Sequence, residues 1–508
     1  EEGKFKGNME EEFKKPTDQR LMALAESLYN NYHTIDEIHK ITKIDKWFLS
    51  KLKNISDLGN EIKKTQKTKE LINYDLMKGA KSLGFSDKQI SNFINSSELE
   101  VRKHRKELGI TPVVKQIDTL GAEFPAKTNY LYTTYNASKD DLDFNENGVM
   151  VLGSGSYRIG SSVEFDYCSV ECIRELRNMG EKTIMVNFNP ETVSTDYDES
   201  DRLYFDELSF ERVMDIYEKE NSSGVVVSMG GQNPNNIALQ LQNNGVNILG
   251  TDPIKIDNCE DRNKYSSMLD KIGVKQPEWK SLKNTNDAIE FCNEVGFPCL
   301  IRPSYVLSGA AMNVVYSMDE LDSYLGDAVS ISPDYPVVIT KFIDNAQEID
   351  VDAVAKNGEI INLAISEHLE KGGVHSGDAT LILPSQNITN DVLETVTKNT
   401  KSIAKELNIT GPFNTQFLAK NDWVGVIETN LRASRSVPFV SKVYNENFIK
   451  HATKAIMDKK ISTNLTNKKI SINNINKFYT NNGNGNINHV GVKCPQFSYH
   501  RLLGSDPI

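Results

Sequence analysis

The sequence has few cysteines and histidines for its 508 residues, with six of the former and eight of the latter. Cys168 and Cys172 are four residues apart in a helical pattern, but no second Cys/His pair accompanies them to complete a zinc site. The other four cysteines are scattered along the chain. This usage favours buried thiols in a reducing compartment over a disulfide framework.

Long apolar runs are also missing. No uninterrupted apolar stretch reaches membrane-spanning length, so no transmembrane helix and no membrane partner are predicted. The chain starts without a basic segment followed by an apolar one, which argues against a signal peptide. The absence of an initiating Met predicts an excised or partial chain.

The sequence also lacks an excess of basic residues. The formal net charge of −12 argues against general nucleic-acid binding, because phosphate contacts need lysine and arginine on the surface. Local basic pockets for a nucleotide remain compatible with this charge. With 38% hydrophobic and 25% charged residues, the composition is that of an ordinary soluble globular protein with about three domains.

Residues 1–147 are predicted to form a helical domain followed by a linker. Apolar residues recur at helical spacing near the start, around Trp47–Leu52 and around Asp87–Phe93. Neither a clustered acid/base set nor a glycine loop occurs there, so a structural or assembly role is favoured over catalysis. Residues 112–147 are less periodic and are predicted to be the linker.

Residues 148–260 are predicted to be an α/β domain with a parallel sheet. Short apolar strands begin at Val149, Thr183 and Gly224, and a helix follows the first of them. In such sheets ligands bind at the carboxyl edge of the strands. The loops expected at that edge are 189–196 and 230–232.

The glycine turn after the first of these strands raises a dinucleotide site as an alternative. Gly153 and Gly155 fit the start of that fingerprint, but Arg158 stands where its third glycine should fall, ahead of Gly160. Asn189-Pro190-Glu191 also replaces the single acidic residue that would bind a ribose. Dinucleotide binding is therefore disfavoured.

Residues 261–344 are predicted to form a small α+β lobe. An apolar strand ends at Arg302 and runs into the small-residue loop 303–312. Backbone N–H groups in such a loop could approach phosphates, with a simple hairpin turn as the alternative.

Residues 345–458 are predicted to form a larger lobe. Strand-like segments carry Glu348 and lead to the polar loop Gly373–Asp378, which could meet a nucleotide. The alternative for His375 in that loop is a purely structural role.

A β-hairpin in the larger lobe is the most informative segment of the chain. Two strand-like runs, Thr415–Ala419 and Val424–Asn430, flank the turn-like sequence Lys420-Asn421-Asp422. A solvated polar hairpin is the alternative to a functional one.

The polar residues of this hairpin predict a metal site. Side chains alternate along a strand, so Glu428 and Asn430 face the same way, and Gln416 can face them from the partner strand. One carboxylate and two amide oxygens are hard ligands that suit Mg²⁺. Arg432 and Arg435 follow at once, as cationic forks for phosphate oxygens.

Two segments end the chain. Residues 459–490 are rich in Asn, Lys and Ile and are predicted to be a linker or insertion. Residues 491–508 regain structural signals and are predicted to begin a domain that is cut off.

Together these segments resemble the large chain of carbamoyl phosphate synthetase, in its C-terminal synthetase half with the preceding oligomerisation domain. The resemblance covers nearly the whole chain and is stronger to the multifunctional, animal-type pyrimidine-pathway version than to the bacterial one. Val492–Ser498 resembles the entrance to the family's allosteric domain. The segments that carry the resemblance are Ile44–Leu49, Gly153–Asp166, Asn189–Asp196, Arg302–Met312, Gly373–Asp378 and Glu428–Lys442.

The resemblance implies an α/β ATP-grasp fold, in which two lobes clamp the nucleotide, after a pre-ATP-grasp domain and an all-α oligomerisation domain. It implies the reaction carbamate + MgATP → carbamoyl phosphate + MgADP, within a ligase of the glutamine-hydrolysing type. ATP and two Mg²⁺ or Mn²⁺ ions are the implied ligands. Pyrimidine synthesis in the cytoplasm is the implied setting.

The resemblance also implies site residues at matching positions. The implied catalytic residues are Arg302, Arg432 and Arg435, of which the last two would hold the carbamate or the product phosphate. The implied metal ligands are Gln416, Glu428 and Asn430. The implied nucleotide site contains Arg262 and Arg302 at the phosphates, Glu348 at the ribose, and Lys341, Ile343, Gly373, Val374, His375, Ser376, Gln416 and Glu428. Ala310 departs from the Arg common in bacterial relatives, which removes a side-chain contact to phosphate.

The implied partners are a glutaminase domain and a first synthetase half, neither of which this chain supplies, and the C-terminal allosteric domain. Dihydroorotase and aspartate carbamoyltransferase domains on the parent chain and a homo-oligomer are implied as well. Two other hypotheses stay open. One is another ATP-grasp ligase, of the biotin carboxylase or purine-pathway kind, and the other is an ATP-binding scaffold without catalysis.

Overall fold

The computed structural model divides into two compact units: residues 1–115 with 132–143, and residues 116–131 with 144–508. Among the described residues, no helix combines the length and apolar character needed to cross a bilayer. The residues that the structure describes are 5, 7–68, 72–121, 123–125, 128–145, 147–157, 162–282, 285–303, 312–321, 324, 337–374, 377–458 and 489–496.

The first unit is helical, as predicted. Thr34, Ser86 and Ser97 each accept a backbone hydrogen bond at a helix N-terminus, and the Glu or Gln three residues later closes a capping box. These local signals explain where three of the helices begin. The elements are α1 Met9–Lys14, α2 Arg20–Asn30, α3 Ile35–Thr42, α4 Lys46–Thr68, α5 Tyr74–Ser82, α6 Asp87–Ile94, α7 Glu98–Glu107 and strand β1 Val113–Gln116.

A buried ion cluster joins α5, α6 and α7. The Asp87 carboxylate accepts hydrogen bonds from Lys81 Nζ at 2.9 Å and from Arg105 Nε at 2.8 and 2.9 Å. None of the three side chains is more than 1% exposed. The Tyr135 ring centroid lies 5.1 Å from Lys81 Nζ and 5.7 Å from Arg105 Cζ. Each buried charge therefore has a close partner, as buried ions require.

Residues 112–147 are not the plain linker that the sequence predicts. They contain β1 and strand β2, Tyr130–Thr134. Tyr130 and Leu131 pair in parallel with residues 203 and 204. Tyr135 is buried in the helical unit's core. The alternation of buried and exposed residues in β2 is too short and too rich in tyrosine to register as apolar periodicity.

The second unit contains the predicted parallel sheet, with strand order β5-β4-β3-β6-β7. β3 and β4 are buried along their whole length, as expected for strands covered on both faces. The strands β5, of three residues, and β7, of two, were not predicted from the sequence. The elements are β3 Val149–Leu152, α8 Val163–Asn178, β4 Thr183–Val186, β5 Arg202–Tyr204, α9 Phe210–Glu220, β6 Gly224–Val226, α10 Gln232–Asn243, β7 Ile248–Leu249, α11 Pro253–Glu260 and α12 Arg262–Lys271, with a 3₁₀ turn at Val193–Thr195.

A four-stranded antiparallel sheet follows, in the order β10-β9-β11-β8. Phe291 and Cys292 of its helix pack with strand residues Ile301 and Ile339 in one apolar cluster. The elements are β8 Trp279–Leu282, α13 Thr285–Val295, β9 Cys299–Pro303, β10 Asn313–Val315 and β11 Val337–Lys341. Of the predicted phosphate loop, residues 304–311 lie outside the described residues.

A six-stranded antiparallel sheet completes the unit, in the order β16-β15-β12-β13-β14-β17. The elements are β12 Gln347–Lys356, β13 Glu359–Lys371, β14 Leu381–Leu383, α14 Asn390–Glu406, β15 Gly411–Lys420, β16 Trp423–Asn430, α15 Val437–Tyr444, α16 Phe448–Ile456 and β17 Gly491–Lys493. Residues 459–488 of the predicted linker and 497–508 of the predicted final segment lie outside the described residues.

Candidate functional site

The predicted hairpin exists as β15 and β16, and its register aligns polar side chains across three strands. Gln416 pairs with Glu428 on one side and with Asp350 on the other. In the next row, Asn414 pairs with Asn430 and with Asp352. Directly opposed residues share a face of an antiparallel sheet. One face of the large sheet therefore carries two rows of carboxylates and amides.

Arg262, from α12, is the counter-ion of Glu428. Its Nη2 donates to the Glu428 carboxylate, and its Nη1 donates to the Ile427 carbonyl at 3.1 Å. Burial would raise the pKa of Glu428, but the charge of Arg262 and its hydrogen bond lower that pKa to about 2. Glu428 is thus held ionised over the whole physiological pH range.

The hydrogen bonds continue from Glu428 along the edge of the sheet. Asn430 Nδ2 donates to Glu428 Oε1 at 3.0 Å, and Arg432 Nη2 donates to Asn430 Oδ1 at 3.2 Å. Glu428 and Asn430 are two apart on β16, so the strand's alternation puts their side chains on one side. Two of the three predicted metal ligands and one predicted anion-binding arginine therefore lie in one hydrogen-bonded group, and Gln416 pairs with Glu428 across the hairpin.

Arg302, at the end of β9, is 8% exposed, and within the described part of the chain its Nε has no hydrogen-bond partner. Burial and the charge of Arg262 lower the pKa of Arg302 to about 9, against the opposite effect of Glu428. A buried cation with an unpaired donor suits a site that binds an anion. The sequence prediction for Arg302 fits this environment.

Two buried acidic residues of β12, Asp350 and Asp352, were missed by sequence reasoning. Asp352 is fully buried and accepts hydrogen bonds from Ser434 Oγ and from Asn414 Nδ2, the latter at 3.2 Å. Burial, followed by the charge of Asp350, raises the pKa of Asp352 to about 6. These bonds tie the segment after β16 to the sheet. The alternation of three acidic residues at 348, 350 and 352 with apolar ones was the signal that could have revealed a polar inner face.

Glu348 lies on the same strand, in the predicted ribose position. Its carboxylate accepts the Gly373 N–H, and it stands 4.0 Å from the buried ring of His368. Burial is the main reason that its pKa rises to about 7, although the charge of His368 acts against the rise. Glu348 and Gly373, which the sequence predicts in one nucleotide site, are therefore in contact.

The loop after β13 brings Arg435 close to a glycine. A Cβ atom at Gly377 would overlap the Arg435 guanidinium, so this guanidinium lies directly against the Gly377 backbone. Val374, three residues before Gly377, is 37% exposed. His375 and Ser376 lie outside the described residues.

Lys341 and Ile343 are less closely tied to the site. Lys341 Nζ donates to the carbonyls of Gly296 and Phe297, both at 2.9 Å. Ile343 is half-buried on the connection between β11 and β12. Their nucleotide-binding roles stay predictions.

Replacing Glu348 with Gln should flatten the pH dependence of stability. A carboxyl whose pKa rises from 4.5 to about 7 on folding binds more protons in the folded state, so it favours folding at low pH and opposes it as pH rises. Relative to the variant, the wild type should lose on the order of 2 kcal/mol of unfolding free energy between pH 5 and 8. Urea unfolding at several pH values measures this.

The control for this experiment is Glu359→Gln, at an exposed position on β13. Its stability should follow the wild type at every pH. If the unfolding free energy varied with pH in the same way for the wild type and Glu348→Gln, the raised pKa of Glu348 would be contradicted.

Three models of one family match successive parts of the chain. Residues 2–109 match the model described as the carbamoyl-phosphate synthetase large chain, oligomerisation domain. Residues 145–258 match the carbamoyl phosphate synthase preATP-grasp domain, and residues 261–463 match the carbamoyl-phosphate synthase L chain, ATP binding domain.

Curated relatives match almost the whole chain but are much longer. The multifunctional protein URA2 of Saccharomyces cerevisiae is 54% identical over 98% of this chain and 22% of its own length. The multifunctional protein CAD of Squalus acanthias is 54% identical over 98% of this chain and 21% of its own length. The mitochondrial arginine-specific carbamoyl phosphate synthase large chain of Schizosaccharomyces pombe is 54% identical over 97% and 42%. The chain thus spans between a fifth and two fifths of these proteins.

Solved structures share the fold at low identity. The biotin carboxylase–β,γ-ATP complex of Campylobacter jejuni has a TM-score of 0.52 at 15% identity, over 63% of this chain and 73% of that one. The biotin carboxylase domain of Hydrogenobacter thermophilus 2-oxoglutarate carboxylase has a TM-score of 0.51 at 18% identity, over 62% and 71%. These likenesses support the predicted ATP-grasp fold.

Proposed function

Because the chain belongs to the family of the carbamoyl phosphate synthetase large chain, we propose that it phosphorylates carbamate with MgATP, giving carbamoyl phosphate and MgADP. The observation that carries the proposal is the connected group of Arg262, Glu428, Asn430 and Arg432 on one sheet edge. It combines oxygen ligands for a cation with guanidinium groups for anions. Phosphoryl transfer needs both.

The divalent cation that this family implies fits the residues present. Glu428 supplies a carboxylate whose pKa is lowered to about 2, Gln416 pairs with it in the same row, and Asn430 lies in the next row. Such hard oxygen ligands leave room for waters and phosphate oxygens, as Mg²⁺ prefers. We propose that these three residues hold Mg²⁺ or Mn²⁺ as two ions. When bound, the ions neutralise phosphate charge in the transition state.

The chain's own residues position the reactants. In the transfer, a carbamate oxygen forms a bond to the γ-phosphorus, the bond from that phosphorus to the bridging oxygen breaks, and the electron pair leaves with ADP. We assign Arg262 and Arg302 to the ATP phosphates, and Arg432 and Arg435 to the carbamate or the product phosphate. Glu348, with Gly373, Val374, His375, Ser376, Lys341 and Ile343, is assigned to the rest of the nucleotide.

A simple reverse assay tests this function. ATP should form from MgADP and carbamoyl phosphate, and chelation of the metal should stop the reaction, because the charge on the phosphates is then no longer neutralised. Coupled luminescence measures the ATP. Tight MgADP binding without ATP formation would favour a nucleotide-binding scaffold. A ligase of the biotin carboxylase kind would instead be indicated by turnover with biotin and bicarbonate.

The setting within the cell is a further part of the proposal. We propose that the chain is part of a larger glutamine-dependent synthetase for pyrimidine synthesis in the cytoplasm, with dihydroorotase and aspartate carbamoyltransferase on the parent chain. Relatives named as multifunctional proteins support a shared polypeptide. Immunoblots of fractionated cells should detect a cytoplasmic band well above 57.1 kDa. A mitochondrial band would contradict this setting.

A further inference from the structure

The Arg432 guanidinium is held from a second direction, by the first residue of α10. Arg432 Nε donates to Gln232 Oε1 at 3.0 Å, across 200 positions of sequence. Nη1 donates to the Ala433 carbonyl at 3.1 Å, and Nη2 donates to Asn430 Oδ1 at 3.2 Å. Within the described residues these acceptors occupy three of the five N–H groups of an arginine, one on each nitrogen. The donors left over are one N–H on each terminal nitrogen.

The loop that carries Gln232 is tightly fitted against the glycine turn after β3. A Cβ atom at Gly230 would overlap the Gly153 carbonyl, and Gly231 has a φ of 74°, which favours glycine. Asn233 Nδ2 donates to the Ser154 carbonyl at 2.8 Å. The backbone position of Gln232 is therefore set by glycines that no other residue could replace without a shift.

The side-chain amide of Gln232 is also oriented. Its Nε2 donates to Asn236 Oδ1 at 3.1 Å, one helical turn later. This bond fixes which end of the amide is the donor, so that the oxygen points to Arg432. A second support comes from α8, because the Phe165 ring lies with its centroid 5.6 Å from Arg432 Cζ. Phe165 is itself buried, so its ring is a fixed surface for the guanidinium plane.

We propose that Gln232 is a positioning residue for phosphoryl transfer, which sets the plane of the Arg432 guanidinium so that its remaining N–H pair grips a planar carboxylate-like oxyanion. The inference rests on the proposed function. Bidentate recognition depends on the guanidinium plane as well as on its charge. Asn430 and Ala433 fix the terminal nitrogens of Arg432 from its own chain segment, whereas Gln232 fixes Nε from the other domain. The parallel-sheet domain thereby takes part in the chemistry of the ATP-grasp site.

Gln232→Met tests the proposal, because it keeps the length of the side chain and removes the acceptor. The expected result is a loss of about 10-fold in kcat/KM for carbamoyl phosphate in the ATP-forming assay, with KM for MgADP unchanged. Gln232→Glu keeps an acceptor for Nε but adds a negative charge beside the oxyanion, so it should restore only part of the lost kcat/KM. Gln242→Met, on the same helix and bonded to Asp252, is the matched control and should match the wild type.

A double-mutant cycle separates positioning from a merely structural role. If Gln232 acts through Arg432, Gln232→Met should cause no further loss in an Arg432→Lys background, since lysine has no Nε fork to orient. Additive losses, or equal changes in both KM values, would overturn the proposal while leaving the proposed function intact.

A wild type that forms no ATP would overturn the proposed function instead. The link between Gln232 and Arg432 is then decided by the affinity for bicarbonate, a planar carboxylate-like oxyanion, in the presence of MgADP. Gln232→Met should weaken this affinity by about 10-fold. Unchanged bicarbonate affinity would overturn the positioning role as well.

Discussion

Replacing Glu428 with alanine should lower the rate of ATP formation from MgADP and carbamoyl phosphate by on the order of 10³-fold. The side chain is the one carboxylate among the three predicted metal ligands, so the substitution removes the cation ligand with the most charge. It also leaves the Arg262 guanidinium, whose side chain is 18% exposed, without its partner. The measurement is initial rate against MgADP concentration, with circular dichroism as a check on folding.

Glu428→Gln separates the loss of the metal ligand's charge from the loss of a partner for Arg262. Glutamine keeps the shape and an acceptor for Asn430 but loses the charge, so turnover should fall nearly as far while the unfolding midpoint shifts less. Asp422→Ala, in the exposed turn of the same hairpin, serves as the control and should keep full activity. Near-normal turnover in Glu428→Gln would exclude this carboxylate as a charged metal ligand.

The largest expected effect on stability is in the helical unit. Asp87→Ala should cost about 3–5 kcal/mol of unfolding free energy, because it leaves the buried charges of Lys81 and Arg105 without their shared carboxylate. Hydrogen exchange of peptides from residues 74–107 should accelerate, since local unfolding of these helices becomes easier. Exchange in the large antiparallel sheet is the internal reference.

Asp75→Ala provides the comparison for Asp87. Asp75 lies in the first turn of α5 and is exposed, so its loss should change the unfolding free energy by less than about 1 kcal/mol. If both substitutions had equally small effects, the buried ion cluster would not be a determinant of this unit's stability.

Local sequence patterns were enough to predict the hairpin, but not the irregularity between Gln416 and Phe417 that sets Gln416 opposite Glu428. The turn residue Asn421 adopts the left-handed conformation, with φ of 53°, which asparagine tolerates better than most residues. Period-two alternation then placed Glu428 and Asn430 on one face, opposite Gln416, and the strand pairing confirms this. Their metal-binding role stays a prediction.

Contacts across long sequence distances could not be predicted in the same way. Arg262 and Glu428 are 166 positions apart, and Gln232 and Arg432 are 200 apart. Such pairs depend on how separate domains fold over one another, which propensity and periodicity do not specify. Asp350 and Asp352 of β12 were missed for another reason, since polar residues on a strand normally indicate a solvated face.

The path of the chain between the two units has a practical consequence for cutting this protein into pieces. Tyr135 belongs to the helical core and lies against Lys81 and Arg105, and Lys78 Nζ donates to its carbonyl at 2.9 Å. A fragment ended at residue 109, where the family model for this region stops, would lack this tyrosine. A fragment that contains the whole helical unit therefore runs through residue 143 and includes residues 116–131, which belong to the other unit. Neither unit is therefore one continuous stretch of sequence that could be expressed alone without residues of the other.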